Sequence, residues 1–180
     1  GNSPPASLGL WQSESMFPNI RSVAKAKVDS LLKMWEGLGY YKRAHNIQKA
    51  CHIIMEEFNG AIPSTKEFKN LPGIGDYIYS AVMSIAFNQK LPVIDGNVKR
   101  VGSRFWETNF INSKDLKFLK EKLLAIITPK RPGCFNQALM DLGREICKPK
   151  KPLCNQCPIA YHCQAFKNNS VANYPYKIKP

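Results

Sequence analysis

The sequence predicts an all-α protein. Apolar residues recur at helical spacing in one segment after another, strand-like alternation is nearly absent, and Gly and Pro fall between the periodic stretches. With 180 residues and 44% apolar content, the chain can bury roughly 70% of its unfolded surface, as one domain or two small lobes, without disulfides.

The elements follow in chain order. Residues 1–10, opening GNSPPASLG, are small, polar and Pro-rich, and are expected to form a disordered lead-in. Helical character begins near Phe17. Val28, Leu31, Leu32 and Trp35 stand at i, i+3, i+4 and i+7, and Gly37-Leu38-Gly39 breaks that helix. A helix over 41–58 carries Ile47, Cys51, Ile54 and Phe58 on one stripe and stops at Asn59-Gly60. A short helix over 66–69 leads into Leu71-Pro72-Gly73-Ile74-Gly75. Further helices are expected over 77–87, 95–106, 114–127 and 135–146. From Cys147 the chain is rich in Cys, Pro, Lys and Asn and too poor in apolar residues to fold by burial, so it needs a staple. No internal repeat or long low-complexity segment is present.

Charge narrows the function classes. The formal net charge is +13, with 26 Lys and Arg against 13 Asp and Glu, which calls for a polyanionic partner. Nucleic acid is favoured over an anionic membrane surface, because no strongly amphipathic basic helix with an aromatic face stands out. No run of about 18 apolar residues spans a membrane, and no secretory signal is visible. An intracellular protein is expected, and its six cysteines are then thiols or metal ligands rather than a disulfide framework.

Three motifs carry chemistry. Cys147, Cys154, Cys157 and Cys163 are spaced C-x6-C-x2-C-x5-C, with Pro149, Pro152 and Pro158 stiffening the loops. Zinc sites usually show two C-x2-C knuckles, whereas one such pair with wider gaps suits an iron–sulfur cubane; zinc and unliganded thiols stay open on spacing alone. Cys51, on an apolar stripe, and Cys134, opening a helix, read as core or near-surface thiols. Leu71-Pro72-Gly73-Ile74-Gly75 is a Gly-rich turn before a helix, where backbone N–H groups can approach a phosphate; in a basic chain it reads as a helix–hairpin–helix gripping DNA without reading sequence. Asp95 follows an apolar run and precedes a helix. It reads either as an N-cap or as a partly buried carboxylate that stabilises developing positive charge.

Four stretches resemble the MutY branch of the helix–hairpin–helix glycosylase superfamily: Trp35-Glu36-Gly37-Leu38-Gly39-Tyr40-Tyr41-Lys42-Arg43-Ala44, Leu71 to Tyr77, Ile94-Asp95-Gly96-Asn97-Val98-Lys99-Arg100-Val101, and Phe135 to Gly143. The cysteine quartet follows at the family's spacing, and the likeness runs from about Phe17 to Tyr174-Pro175. The resemblance implies a two-lobed fold with a DNA cleft. One helical lobe over 11–90 holds the hairpin, and a second over 91–180 holds Asp95 and the cluster loop, the chain passing between them near Gln89 to Pro92. It implies a structural, DNA-associated [4Fe–4S] cluster on Cys147, Cys154, Cys157 and Cys163, with Lys148, Lys150 and Lys151 facing phosphates. It further implies DNA contacts from Leu38, Gly39, Tyr40, Leu71, Gly73, Ile74, Gly75, Lys99 and Arg100. Tyr40 matches a residue that wedges into the base stack, a core aromatic being the alternative.

The implied activity is hydrolysis of the N-glycosidic bond of adenine mispaired with 8-oxoguanine or guanine in double-stranded DNA, with the adenine extruded from the duplex. Asp95 resembles the catalytic carboxylate, with Tyr77 and Asn97 as its neighbours. The lyase branch, typified by endonuclease III, carries a Lys where Tyr77 stands, so a monofunctional enzyme is implied. A monomer is expected, in the cytoplasm and nucleoid of a bacterium or the nucleus or mitochondrion of a eukaryote. The family's acid is a Glu on an early helix that counts back to before Gly1. That helix and the C-terminal 8-oxoguanine recognition domain are expected to be missing, which leaves a catalytically impaired DNA-binding fragment as the alternative reading.

Overall fold

Every regular element among the described residues, 16–36 and 39–175 of the computed structural model, is helical. The expected all-α class is therefore what the chain adopts. The expected lead-in, residues 1–10, and Leu38 lie outside the described residues. No helix among them is long and apolar enough to cross a membrane. The chain divides into two compact units, Gly1–Asp76 and Tyr77–Pro180.

In the first unit, α1 (Ile20–Lys25), α2 (Val28–Met34) and α3 (Lys42–Glu57) precede a 3-10 helix at Lys66–Asn70. Asn19 starts α1 with a capping box: its Oδ1 accepts the Ser22 N–H at 2.9 Å, and Ser22 Oγ accepts the Asn19 N–H at 3.3 Å. The buried face of α3 is Ala44, Gln48, Ala50, Cys51 and Ile54. Ile47, expected on the apolar stripe, is instead exposed. The small Ala44 and Ala50 leave room for packing, and the Gln48 amide donates to the Ala26 carbonyl at 2.7 Å. That satisfies a carbonyl at the end of α1, which a hydrophobic stripe cannot do. Burial pushes the Cys51 thiol up from its ordinary value, as suits a core thiol.

The second unit contains α4 (Asp76–Ile85, entering at Tyr77), α5 (Gly96–Phe105), α6 (Ser113–Ile126) and α7 (Pro132–Asp141). Val98, Phe110, Leu119 and Leu123 form a buried cluster, flanked by Ile94, Trp106, Phe135 and Met140. Each such side chain taken fully out of water contributes about 1.5–3 kcal/mol. Gly102 lets α5 approach α6, since a Cβ there would stand 2.9 Å from Leu119 Cδ1.

The helix expected over 135–146 differs at both ends. It starts at Pro132, whose missing N–H costs nothing at the first helical position. From Leu142 to Ile146 it widens to a π-helical turn. The Cys147 N–H then bonds the Leu142 carbonyl at 2.7 Å, and the backbone at Gly143 presses on α5, where a Cβ would meet Asn97 Cβ at 2.7 Å. Beyond it the chain runs through short turns at Cys154–Gln156 and Ala160–His162 to α8 (Gln164–Lys167) and a last turn at Val171–Asn173.

Candidate functional site

The hairpin turn of the first unit is built as its glycines suggested. Gly73 has φ +81, and a Cβ there would fall 2.9 Å from Asn46 Cβ, so both backbone and space demand glycine. Gly75 has nothing within 4 Å of where a Cβ would be, which leaves its backbone open to approach. Leu71 is buried and anchors the turn, and its carbonyl accepts the Ile74 N–H at 3.1 Å. Gly39 and Tyr40 both adopt positive φ. Tyr40 is 75% exposed, with the Arg43 guanidinium 4.6 Å from its ring centroid. It is therefore not a core aromatic.

In the second unit, Asp95 caps α5. Its Oδ1 accepts the Val98 N–H at 2.7 Å and its Oδ2 accepts from Asn97 Nδ2 at 3.0 Å. The N-cap reading is thus realised, and each oxygen keeps a further lone pair. Asn97 Oδ1 accepts from Arg100 Nη2 at 2.9 Å. Arg100 also donates to the Gly143 carbonyl at 2.7 Å and to the Cys147 carbonyl at 2.8 Å. A continuous hydrogen-bonded path therefore joins Asp95 to the first cysteine of the quartet. Tyr77 stands at the head of α4, half exposed, with its hydroxyl 4.0 Å from Met140 Sδ. Lys99, on α5, is half-buried.

All four cysteines of the quartet line one cavity, together with Arg104, Ile146 and Phe166. None of them is in a disulfide. Among the described residues no group of three or more His, Cys, Asp or Glu side chains is arranged to hold a metal ion. Burial raises the Cys154 thiol above its ordinary value; Cys147 and Cys157 add to this, and Arg104 opposes it. Cys163 is raised by burial first, opposed by the Phe166 N–H and raised again by the other three cysteines. The loop after Cys147 is closed at its base, where Ile146 O accepts the Lys148 and Leu153 N–H groups at 2.8 and 2.9 Å. Lys150 and Lys151 are exposed on that loop, and Lys148 is half-buried. Cys134 is exposed and apart from the quartet.

Two residues escaped the sequence reading. Asn136 is buried on α7. Its Oδ1 accepts the Val93 N–H at 3.1 Å, and its Nδ2 donates to Leu91 O at 2.8 Å and Ser84 Oγ at 2.9 Å. It therefore holds the segment that delivers Asp95. Arg104, buried on α5, gathers the start of the cysteine loop through the Cys147, Lys148 and Pro149 carbonyls and the Cys147 sulfur, and also donates to the Tyr174 carbonyl. Nothing local betrays either one, because every partner is distant in the chain.

An N-capping Asp on a helix that reaches a four-thiol loop, in a chain that also has an open Gly-rich hairpin, defines a helix–hairpin–helix DNA-repair scaffold. The chain belongs to the HhH-GPD superfamily of base excision DNA repair proteins, which it matches over residues 7–125. It is similar to the adenine DNA glycosylase of Buchnera aphidicola from Schizaphis graminum, with 41% identity over 168 residues, 92% of this chain and 48% of that one. It is also similar to the adenine DNA glycosylase of Homo sapiens, with 39% identity over 156 residues, 83% of this chain and 28% of that one. The chain thus spans about half the length, or less, of these relatives. Among solved structures, a thermostable thymine-DNA glycosylase shares the fold at a TM-score of 0.81 and 24% identity, covering 91% of this chain and 76% of that one. Endonuclease III in a trapped covalent intermediate with DNA aligns at a TM-score of 0.76 and 25% identity, covering 90% and 76%.

Proposed function

We propose that this chain is the core of a monofunctional adenine DNA glycosylase acting inside the cell on double-stranded DNA, with adenine opposite 8-oxoguanine or guanine as its target. The observation that carries the reading is the Asp95 carboxylate, half-buried and held by the Val98 N–H and the Asn97 amide, in a chain about 40% identical to adenine DNA glycosylases. In the reaction the bond between adenine N9 and the sugar C1′ breaks, its electron pair leaving with the base, which takes up a proton. Water then adds to C1′. The sugar passes through an oxocarbenium-like state, and a fixed carboxylate stabilises that charge without having to reorganise. Asn97 holds Oδ2 in place. Tyr77 has no amine with which to form a Schiff base, so the reaction ends at hydrolysis.

On the first unit, Tyr40 acts as the exposed wedge, with Gly39 and Leu38 before it in the sequence as further DNA contacts. In the same unit Gly73 and Gly75 present backbone to phosphates from the turn that Leu71 and Ile74 hold closed, and in the second unit Lys99, Arg100, Lys148, Lys150 and Lys151 supply positive charge. The four thiols of Cys147, Cys154, Cys157 and Cys163, which line one cavity and are in no disulfide, would hold a [4Fe–4S] cluster through their sulfurs. When bound, the cluster supplies iron–thiolate bonds that staple residues 147–163. The Arg100 bonds to Cys147 and Gly143 then hold that loop to the helix that Asp95 caps.

The test is single-turnover adenine release from a duplex with adenine opposite 8-oxoguanine, comparing the chain with Asp95→Asn at fixed salt. Release that falls at least about a hundredfold in the variant, with binding retained, is expected. Equal release by both proteins would remove Asp95 from the chemistry. Binding without release by either would leave a DNA-binding fragment.

A further inference from the structure

Arg104 is the one buried side chain of ionic type among the described residues, 4% exposed. Arginine keeps its charge in proteins, and a buried charge is costly unless an opposite charge meets it. Among the described residues no carboxylate pairs with Arg104. Its protein partners are the carbonyls of Tyr174 (2.8 Å), Lys148 (2.8 Å), Pro149 (3.2 Å) and Cys147 (3.4 Å). These are dipoles, which satisfy its donors without neutralising it. Two further contacts point to where the counter-charge belongs. Arg104 Nη1 lies 3.3 Å from Cys147 Sγ, and the Cys163 thiol lies 3.4 Å from the carbonyl oxygen of Arg104 itself. The same guanidinium lines the cavity that all four cysteines share.

We infer that Arg104 is the buried counter-charge and loop clamp of the four-thiolate centre, a positioning residue whose single positive charge is matched by the net negative charge of a thiolate-ligated iron–sulfur cluster. The inference rests on the cluster reading above and adds a division of labour to it. The planar fork of Arg104 orders the backbone from Cys147 to Pro149, while its charge acts on the sulfur ligands. Hydrogen bonds and charge near cluster sulfurs are among the levers that set cluster potential and retention. The two roles separate by substitution, because lysine keeps a cation and loses the fork, whereas methionine loses both.

The experiment uses iron-loaded wild type, Arg104→Met and Arg104→Lys. Each is followed by the loss of visible iron–thiolate absorbance in excess chelator and by the midpoint potential of the cluster. Both variants are expected to lose the cluster faster, by about ten- to a hundredfold for methionine. The potential is expected to fall in Arg104→Met, where a neighbouring positive charge is gone, and to stay near wild type in Arg104→Lys. Equal potentials in wild type and Arg104→Met, or equal shifts in both variants, would overturn the charge role and leave only a backbone tether. If Arg104→Met does not fold or load, Arg104→Gln takes its place, polar but uncharged: a potential equal to wild type refutes the charge role, and a lowered one beside an unshifted Arg104→Lys supports it. A wild-type chain that binds stoichiometric zinc and no iron would instead refute the cluster reading itself.

Discussion

Asn136 shows how one amide can position a site it never touches. It satisfies the Val93 N–H, the Leu91 carbonyl and the Ser84 hydroxyl at once, so the backbone two residues before Asp95 has a fixed place. In Asn136→Ala those buried groups lose their partner together, and a destabilisation of about 3 kcal/mol is expected in urea unfolding of the iron-loaded protein. A loss below about 0.5 kcal/mol, the usual scatter of surface substitutions, would show that the segment is held by packing alone. Asp95 was legible in the sequence because a carboxylate ahead of a helix has a local signature, and the cysteines were legible by spacing. Asn136 and Arg104 were not, since their partners lie 43 to 70 residues away. A buried polar residue within a helix looks, from its neighbours, like any solvent-facing one.

Helix ends show the same contrast between local and distant causes. The start of α6 is a capping box: Asn112 Oδ1 accepts the Asp115 N–H at 3.0 Å, and Asp115 Oδ2 accepts the Ile111 and Asn112 N–H groups at 2.9 and 3.0 Å. The Asn112 N–H, and then that of Ile111, hold the Asp115 carboxyl below its ordinary value. A depressed carboxylate contributes stability that is fully present above its unfolded pKa near 4 and is lost as pH falls through the lower folded value. The thermal midpoints of wild type and Asp115→Ala should therefore differ at neutral pH and draw together as the pH falls below the ordinary carboxylate value near 4. A gap constant over that range would mean that the substitution acts through helix propensity instead. The 3.6-residue period, with Gly and Pro between the periodic stretches, made most helix positions readable without these caps. The π turn at Leu142–Ile146 was not readable, because it arises from the close fit of Gly143 on Asn97 and from Arg100 taking the Gly143 carbonyl. The exposed Ile47 was misread for a related reason: α3 buries Gln48 to cap the end of α1.

At the scale of the molecule, +13 of net charge is a statement about partners. A protein that neutralises Z phosphates releases the counterions condensed on them, so its affinity for a duplex falls with log salt at a slope near −0.9Z. Lys150 and Lys151 are exposed on a loop whose base is closed by the Ile146 carbonyl and whose backbone is tied to Arg104 through Lys148 and Pro149. Their charge is therefore presented on an ordered support rather than on a free tail. If both ammonium groups meet phosphates, Lys150→Ser with Lys151→Ser lowers the steepness of the salt dependence by about 1.8. It also weakens binding to an adenine mispair and to a matched duplex by the same factor, because phosphate contacts carry no sequence information. Binding isotherms for the two duplexes over a series of salt concentrations measure both quantities. An unchanged slope would return these lysines to an ordinary solvated charge run. A loss confined to the mispaired duplex would place them instead at the extruded base, in direct conflict with a backbone role.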